Sequence, residues 1–332
     1  MKNGKELKRL FSNKKALVIG GLGFIGSNIA HALVGLGARV TIFSHSKKKI
    51  HNLKGIEKKV KIIIGNITNF SSVGRIMKGK DYIFNCAAQV SYLDSIRNPV
   101  LDLETNCHGQ LNILEAVRKN CPKAKILFTS SRLVYGKVTT PIVSENHPTN
   151  PVSIYAAHKL VAEKYHVLYH KIHGLNTVIA RIPNPYGPRQ QINNMKSGAI
   201  VGWIMKELMD GEQVKIFGSG KQKRNYLFID DLVNILLLLI TDKNANRGEI
   251  FNVGTTETNT FNEMVKKVFK AVRRGSYAHI PWPKDFEKNE TGDYVPDLKK
   301  VRSFTGYRVY TPLAEGVKKM IEFYKNNKKY YW

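Results

Sequence analysis

Cysteine is scarce in this chain, acidic residues are few beside basic ones, and no apolar stretch is long. Cys86, Cys107 and Cys121 are odd in number, and none lies two to four residues from another. That excludes a disulfide framework and offers no metal site, so reduced, mostly buried thiols in a cytoplasmic protein are expected. The most apolar run, Leu232 to Ile240, is broken by Asn234 and falls far short of the roughly 20 residues of a membrane span. Met1 to Lys15 is basic throughout and lacks an apolar centre, so a secretory signal is not expected.

What is present suffices for a core. Of the 332 residues, 42% are hydrophobic and 10% aromatic, which excludes disorder as the main description. The length suggests two domains or one large α/β unit. Against 25 acidic residues stand 53 basic ones, a formal charge of +28. The basic residues are dispersed, as in Lys47-Lys48-Lys49, Lys58-Lys59, Lys266-Lys267, Lys299-Lys300 and Lys328-Lys329. Nucleic-acid binders concentrate charge in a patch or arm. No nucleic-acid partner is therefore expected, and an anionic small molecule steered by the field is.

The first half alternates between strands and helices. Strands are predicted at Ala16 to Ile19, Arg39 to Phe43, Val60 to Ile64, Tyr82 to Ala87 and Lys125 to Thr129. Helices are predicted from Gly26 to Leu36 and, as one long piece, from Val100 to Lys119. A helix from Tyr155 to His173 and a strand from Thr177 to Ile182 follow. Strands apolar along their whole length, separated by amphipathic helices, indicate a parallel sheet covered on both faces. The expected fold is α/β, a doubly wound Rossmann sheet with a smaller, interwoven α/β substrate-binding lobe. Residues 1–180 would form the dinucleotide-binding domain, with 230–254 returning to it as a helix and a strand. Residues 181–229 and 255–332 would form the lobe.

Two short patterns carry chemistry. Gly20-Gly21-Leu22-Gly23-Phe24-Ile25-Gly26 lies between the first strand and first helix. Glycines there let the backbone turn tightly and approach a pyrophosphate at the helix N-terminus. Tyr155 and Lys159, four apart, share a helix face. An ammonium beside a phenol is expected to lower its pKa toward that of a general base. Alone the pair is no more than an ordinary i,i+4 pair, but Thr129-Ser130-Ser131 ends a central strand, where doubly wound folds place ligands. A serine hydroxyl there would hold the substrate oxygen whose proton Tyr155 removes. His158 is expected to face away, with no role.

In order along the chain stand Gly65-Asn66-Ile67, Ala87-Ala88-Gln89-Val90-Ser91, Asn106, Val134-Tyr135-Gly136, Arg181-Ile182-Pro183-Asn184-Pro185-Tyr186-Gly187-Pro188-Arg189, Arg224 and Gly292-Asp293. With the glycine turn, Ser131 and Tyr155/Lys159, this series resembles the extended short-chain dehydrogenase/reductases over nearly the whole chain. Among them it is similar to the NAD-dependent nucleotide-sugar epimerases of the UDP-glucose 4-epimerase type. The resemblance implies that Ser131, Tyr155 and Lys159 are catalytic. It implies that Gly20, Gly23, Phe24, Ile25 and Gly26 hold the cofactor, with Asn66 and Ile67 flanking the adenine. Ala87, Ala88 and Gln89 would line the diphosphate and ribose, supported by Asn106, Tyr155 and Lys159, with Pro183 at the nicotinamide carboxamide. Ser91, Ser131, Arg132, Tyr155, Asn184 and Arg224 would bind substrate, the last two at its diphosphate. A homodimer built from the helices Val100 to Lys119 and Ile154 to His173 is implied too.

Departures matter as well. Ser44 stands where NAD-binding members carry an Asp, and Ser44, His45, Ser46 and Lys47 form a polar, basic set able to accept a 2′-phosphate. The cofactor expected is thus a tightly bound NAD(P), with a lean toward NADP. Asn66 and Asn225 replace aspartates, and Glu290 stands where an arginine is common. After the serine comes Arg132-Leu133 rather than the Asp-Glu of sugar 4,6-dehydratases, so elimination is not expected. The reading is an NDP-hexose epimerase, with a UDP-sugar and C4 as the default, working by transient oxidation and hydride return. Its rivals are an NADP-dependent 4-keto-sugar reductase, a CDP-sugar 2-epimerase and a non-catalytic dinucleotide-binding regulator.

Overall fold

The computed structural model describes residues 4–193, 198–282 and 290–332. Seven parallel strands form the central sheet: β1 (Lys15–Ile19), β2 (Arg39–Ser44), β3 (Val60–Ile64), β4 (Tyr82–Asn85), β5 (Lys125–Ser131), β6 (Asn176–Ile182) and, returning late, a strand at Glu249–Asn252. Their order across the sheet is Glu249–Asn252, β6, β5, β4, β1, β2, β3. From β1 the chain adds β2 and β3 on one side, and β4, β5 and β6 then lie on its other side. Such a reversal leaves a crevice at the carboxyl ends of β1 and β4.

Alternation along β1 divides the core. Ala16 and Val18 face one side, with helices α2 (Phe24–Gly35) and Ile229–Thr241, while Leu17 and Ile19 face α3 (Phe70–Met77) and α6 (Gly109–Asn120). Successive strand side chains point to opposite faces, so an uninterrupted apolar strand must be covered twice. The helix α7 (Ile154–His173) covers β5 and β6 on the α6 side. The described residues after β6 also form two small sheets. One joins Thr258–Thr260, Lys223–Phe228 and Asn184–Tyr186, the other Ser276–Ile280 and Gln213–Phe217. No helix among the described residues is long and apolar enough to cross a membrane.

Most boundaries shift by one or two residues from expectation, and three differences shape the crevice. β4 stops at Asn85 rather than Ala87, because the chain there turns away to pass against Gly20. β5 continues to Ser131, which stays in register with Ile182. The helix expected over Val100 to Lys119 is α5 (Pro99–Leu103) and α6 with a π-turn at Glu104–His108 between them, and a separate short helix, α4 (Tyr92–Arg97), precedes it. The π-turn aims Asn106 inward, where its amide accepts from the Gln89 N–H at 3.1 Å and donates to the Gln89 carbonyl at 3.0 Å. Such bulges fall at functional sites because they re-aim one side chain without ending the helix.

Candidate active site

The glycine turn is built so that side chains would block it. Gly20 has φ +77°, and a Cβ there would lie 2.9 Å from the Ala87 nitrogen. A Cβ on Gly26 would sit 2.5 Å from the Gly20 carbonyl oxygen. The N-cap of α2 is Gly23, with no side-chain capping bond, so its first N–H groups point out of the turn uncapped. A helix terminus carrying free N–H groups and partial positive charge suits a phosphate. Phe24 and Ile25, half-buried, pin this end of α2 against the core.

The other expected cofactor residues gather at neighbouring strand ends. Ser44 closes β2 and is buried, its carbonyl accepting from Gly65 N–H at 3.0 Å. His45 and Lys47 are exposed, and Ser46 accepts from the Lys48 N–H at 3.2 Å. Ile67 is buried and Asn66 exposed after β3, while Ala87, Ala88 and Gln89 follow β4 half-buried. Pro183 is buried just after β6. These residues fit a dinucleotide laid across the sheet with its diphosphate at the glycine turn. Ser91 is committed locally: its hydroxyl caps α4, accepting from Asp94 N–H at 3.1 Å.

Tyr155, Lys159 and Glu163 repeat every four residues on the buried face of α7, which Ser153 caps by accepting from Ala156 N–H at 3.3 Å. The Tyr155 hydroxyl lies beside Ser131 at the tip of β5, and the serine favours its phenolate. Lys159 donates from Nζ to the Thr129 carbonyl at 2.8 Å and sits 4.5 Å from the Phe128 ring centroid. Glu163 accepts from Ser130 at 2.5 Å and from Arg181 Nη2 at 2.7 Å, a buried network that fixes α7 to β5 and β6. The electrostatic expectation is corrected here. Burial, and then the Asp102 charge, push the Tyr155 phenol above its ordinary range, with Ser131 pulling back. Burial also lowers Lys159 to about 8. Desolvation sets the direction, and Lys159, whose ammonium is directed at the Thr129 carbonyl and the Phe128 ring, is not among the groups that shift the phenol. Tyr155 is therefore protonated when the site stands alone.

His158 does not face away. Its Nδ1 lies 2.6 Å from Oδ1 of Asp102, which is fully buried and also accepts from Asn106 at 3.1 Å. Asp102 thus ties the helix carrying Tyr155 to the π-turn that positions Gln89. Sequence reasoning missed it; its one signal is a place four residues before Asn106, on the same helix face.

Next to this centre opens a cavity of about 190 Å³, walled by Trp203, Phe217, Tyr226, Phe261 and Trp282, with Asn184, Arg224 and Glu290 among its polar groups. Asn184 donates to the Asn225 carbonyl at 3.2 Å. The Asn225 amide both accepts from the Thr255 N–H at 3.0 Å and donates to the Thr255 carbonyl at 2.7 Å. A carboxylate could not make the second bond, which accounts for Asn at this place. Arg224 is buried and pairs with Glu290, while Arg132 donates to the Thr291 hydroxyl at 3.1 Å.

Comparison with known proteins agrees with this geometry. A 32% identical relative over 94% of this chain and 99% of its own length is a putative UDP-glucose 4-epimerase of Methanocaldococcus jannaschii. Among solved structures, the UDP-glucose 4-epimerase of Thermotoga maritima with UDP-glucose superposes with a TM-score of 0.85 at 28% identity, over 95% of this chain and 99% of that one. The Thermus thermophilus UDP-glucose 4-epimerase complex with NAD gives 0.83 at 28% identity, over 94% and 99%. The match to the profile of the NAD dependent epimerase/dehydratase family spans residues 16–254, from the first strand through the glycine turn and the Tyr155 helix to the returning edge strand. By that match, this chain belongs to the NAD dependent epimerase/dehydratase family.

Proposed function

We propose that this chain is a nucleotide-sugar epimerase acting at C4 of an NDP-hexose, with a UDP-sugar as substrate. The observation that carries the reading is Tyr155 set beside Ser131 at the tip of β5, at the strand ends that also hold the glycine turn. An aromatic cavity with buried Arg224 adjoins this pair and suits a nucleobase and its diphosphate. Arg132 follows Ser131 where elimination would call for an acid.

Bound across the strand ends, the dinucleotide supplies a reversible two-electron acceptor. Ser131 holds the sugar oxygen. With substrate bound, Tyr155 first loses its own proton to solvent; the phenolate, stabilised by Lys159 one turn along α7, then takes the sugar hydroxyl proton to become the neutral phenol and later returns it. Asn184 and Arg224 hold the sugar by its diphosphate, so the hexose is free to turn over between the two transfers.

For the cofactor we propose NAD. The lean toward NADP finds no support in the comparisons, and the solved Thermus relative is a complex with NAD. His45 and Lys47 are exposed, and their side chains make no hydrogen bond or ion pair among the described residues that would fix them over a 2′-phosphate. The division into a dinucleotide-binding domain and an interwoven lobe belongs to the same proposal. So does a homodimer, supported by the exposed Val100, Leu101, Leu103, Leu168 and Ile172 on α5 and α7.

The test follows UDP-hexose deuterated at C4 together with absorbance at 340 nm, the dinucleotide released by denaturation being identified in parallel. Epimeric product that keeps its label, with no net reduced cofactor, is expected. Steady consumption of reduced cofactor would overturn the reading in favour of a 4-keto-sugar reductase, and released NADP would overturn the cofactor assignment.

A further inference from the structure

Arg132 and Arg224 approach the same loop from opposite sides. Arg132 begins a short 3-10 turn after Ser131, and Arg224 lies on the strand Lys223–Phe228. The loop between them offers the Thr291 hydroxyl to Arg132, and the Gly292 carbonyl and Glu290 carboxylate to Arg224. Arg224 also donates to the Lys223 carbonyl at 2.9 Å, so its guanidinium is well supplied. Arg132 is not. Beyond Thr291 it has the face of Tyr294, 5.4 Å from the ring centroid, and no carboxylate partner among the described residues. Burial first, and then the neighbouring Arg224 charge, lower Arg132 to about 10.

A second group points the same way. Tyr226 lines the cavity with Arg224 and Glu290, is 3% exposed, and its hydroxyl has no hydrogen-bond partner among the described residues. A buried hydroxyl without a partner and a half-buried guanidinium with no carboxylate in contact are both unfavourable, and one ligand with several acceptor oxygens relieves both. A single carboxylate satisfies one guanidinium. A diphosphate has oxygens enough for two.

We propose that Glu290 is an internal competitor for the substrate's diphosphate: its carboxylate holds Arg224, and a nucleoside diphosphate displaces it by engaging Arg132 and the Tyr226 hydroxyl at the same time. The proposal rests on the nucleotide-sugar reading above. It makes Arg132 the decisive diphosphate ligand and Glu290 a threshold for entry. A nucleoside monophosphate, with one phosphorus, gains less from bridging the two guanidinium groups, so the site selects for the diphosphate.

The test is calorimetric titration of UDP and UMP into the protein carrying its dinucleotide, with thermal melting to check folding. Glu290→Gln removes the competing charge and keeps the shape, so UDP should bind roughly 10-fold tighter, and UMP less so. Arg132→Ala should weaken UDP roughly 10- to 100-fold and narrow the gap between UDP and UMP. Arg132→Lys, which keeps a charge but not the fork, gives an intermediate loss, and serves alone if the alanine variant fails to fold. Unchanged or weaker UDP binding by Glu290→Gln overturns the competition, and wild-type affinity in both Arg132 variants overturns the role of Arg132. In both cases the nucleotide-sugar reading stands. If the wild type binds none of UDP, CDP, GDP and dTDP, that reading falls and this inference with it.

Discussion

Glu163 and Arg181 meet at 2.7 Å with their side chains 0% and 4% exposed, on the face of α7 that also carries Tyr155 and Lys159. Each charge is tolerable only because the other is there, and Ser130 adds a further hydrogen bond to Glu163. Glu163→Gln strands the guanidinium and should cost about 3–5 kcal/mol of stability, read by urea denaturation. A loss under about 1 kcal/mol, the scale of an exposed pair, would show that the network does not anchor the helix.

Tyr155→Phe removes the proton acceptor and little volume. Turnover should fall on the order of 10²- to 10⁴-fold while the dinucleotide stays bound, measured by steady-state kinetics and by absorbance of the released cofactor. Because burial already holds the phenol protonated, the melting temperature should hardly change. Turnover like the wild type's would remove Tyr155 from the mechanism.

Gly26→Ala places a Cβ 2.5 Å from the Gly20 carbonyl, and that contact is backbone, which cannot swing aside. The turn must open, and with it the seat of the diphosphate. Dinucleotide affinity should drop at least 10-fold, about 1.4 kcal/mol or more. Gly35→Ala, in the same helix with nothing within 4 Å of the added methyl, is the matched control and should bind as the wild type does.

Acid should destabilise the fold through His166. Burial lowers this residue to about 4, and its ring stacks on Phe128 with centroids 4.6 Å apart. In the unfolded chain it titrates near 6.5, so between pH 6.5 and 4 the unfolded state binds a proton that the folded state refuses. Stability is therefore lost as pH falls through that window, with a slope of up to about 1.4 kcal/mol per pH unit from this residue. His166→Gln should flatten the dependence measured by denaturant titration at several pH values; an unchanged slope would assign it elsewhere.

Much of this arrangement was legible in the sequence because it depends on short-range spacing. Apolar strands such as Leu17–Ile19 announce a sheet covered on both faces, and Tyr155/Lys159 announce a shared helix face. Longer relationships were not legible. His158 meets Asp102 across 56 positions, and Arg224 meets Glu290 across 66. Nothing local marks either pair. Nor does spacing reveal how dry a face will be. Tyr155 and Lys159 sit where the reading placed them, yet burial moves the phenol opposite to the direction expected from a neighbouring ammonium. The π-turn escaped notice because its residues, Glu104 to His108, are compatible with an uninterrupted helix.

The late return of Glu249–Asn252 to the sheet has a consequence for how the protein is made. Until that strand leaves the ribosome, β6 presents an unpaired edge of seven residues, Asn176–Ile182, six of them fully buried in the finished fold or nearly so. Roughly 70 residues must be added first, a wait of several seconds at ordinary translation rates. A nascent chain stalled in that interval would offer a bare apolar strand edge to its neighbours, the geometry that seeds aggregation. Slow codons placed before residue 249 should therefore lower the soluble yield, and the same codons placed after residue 253 should not.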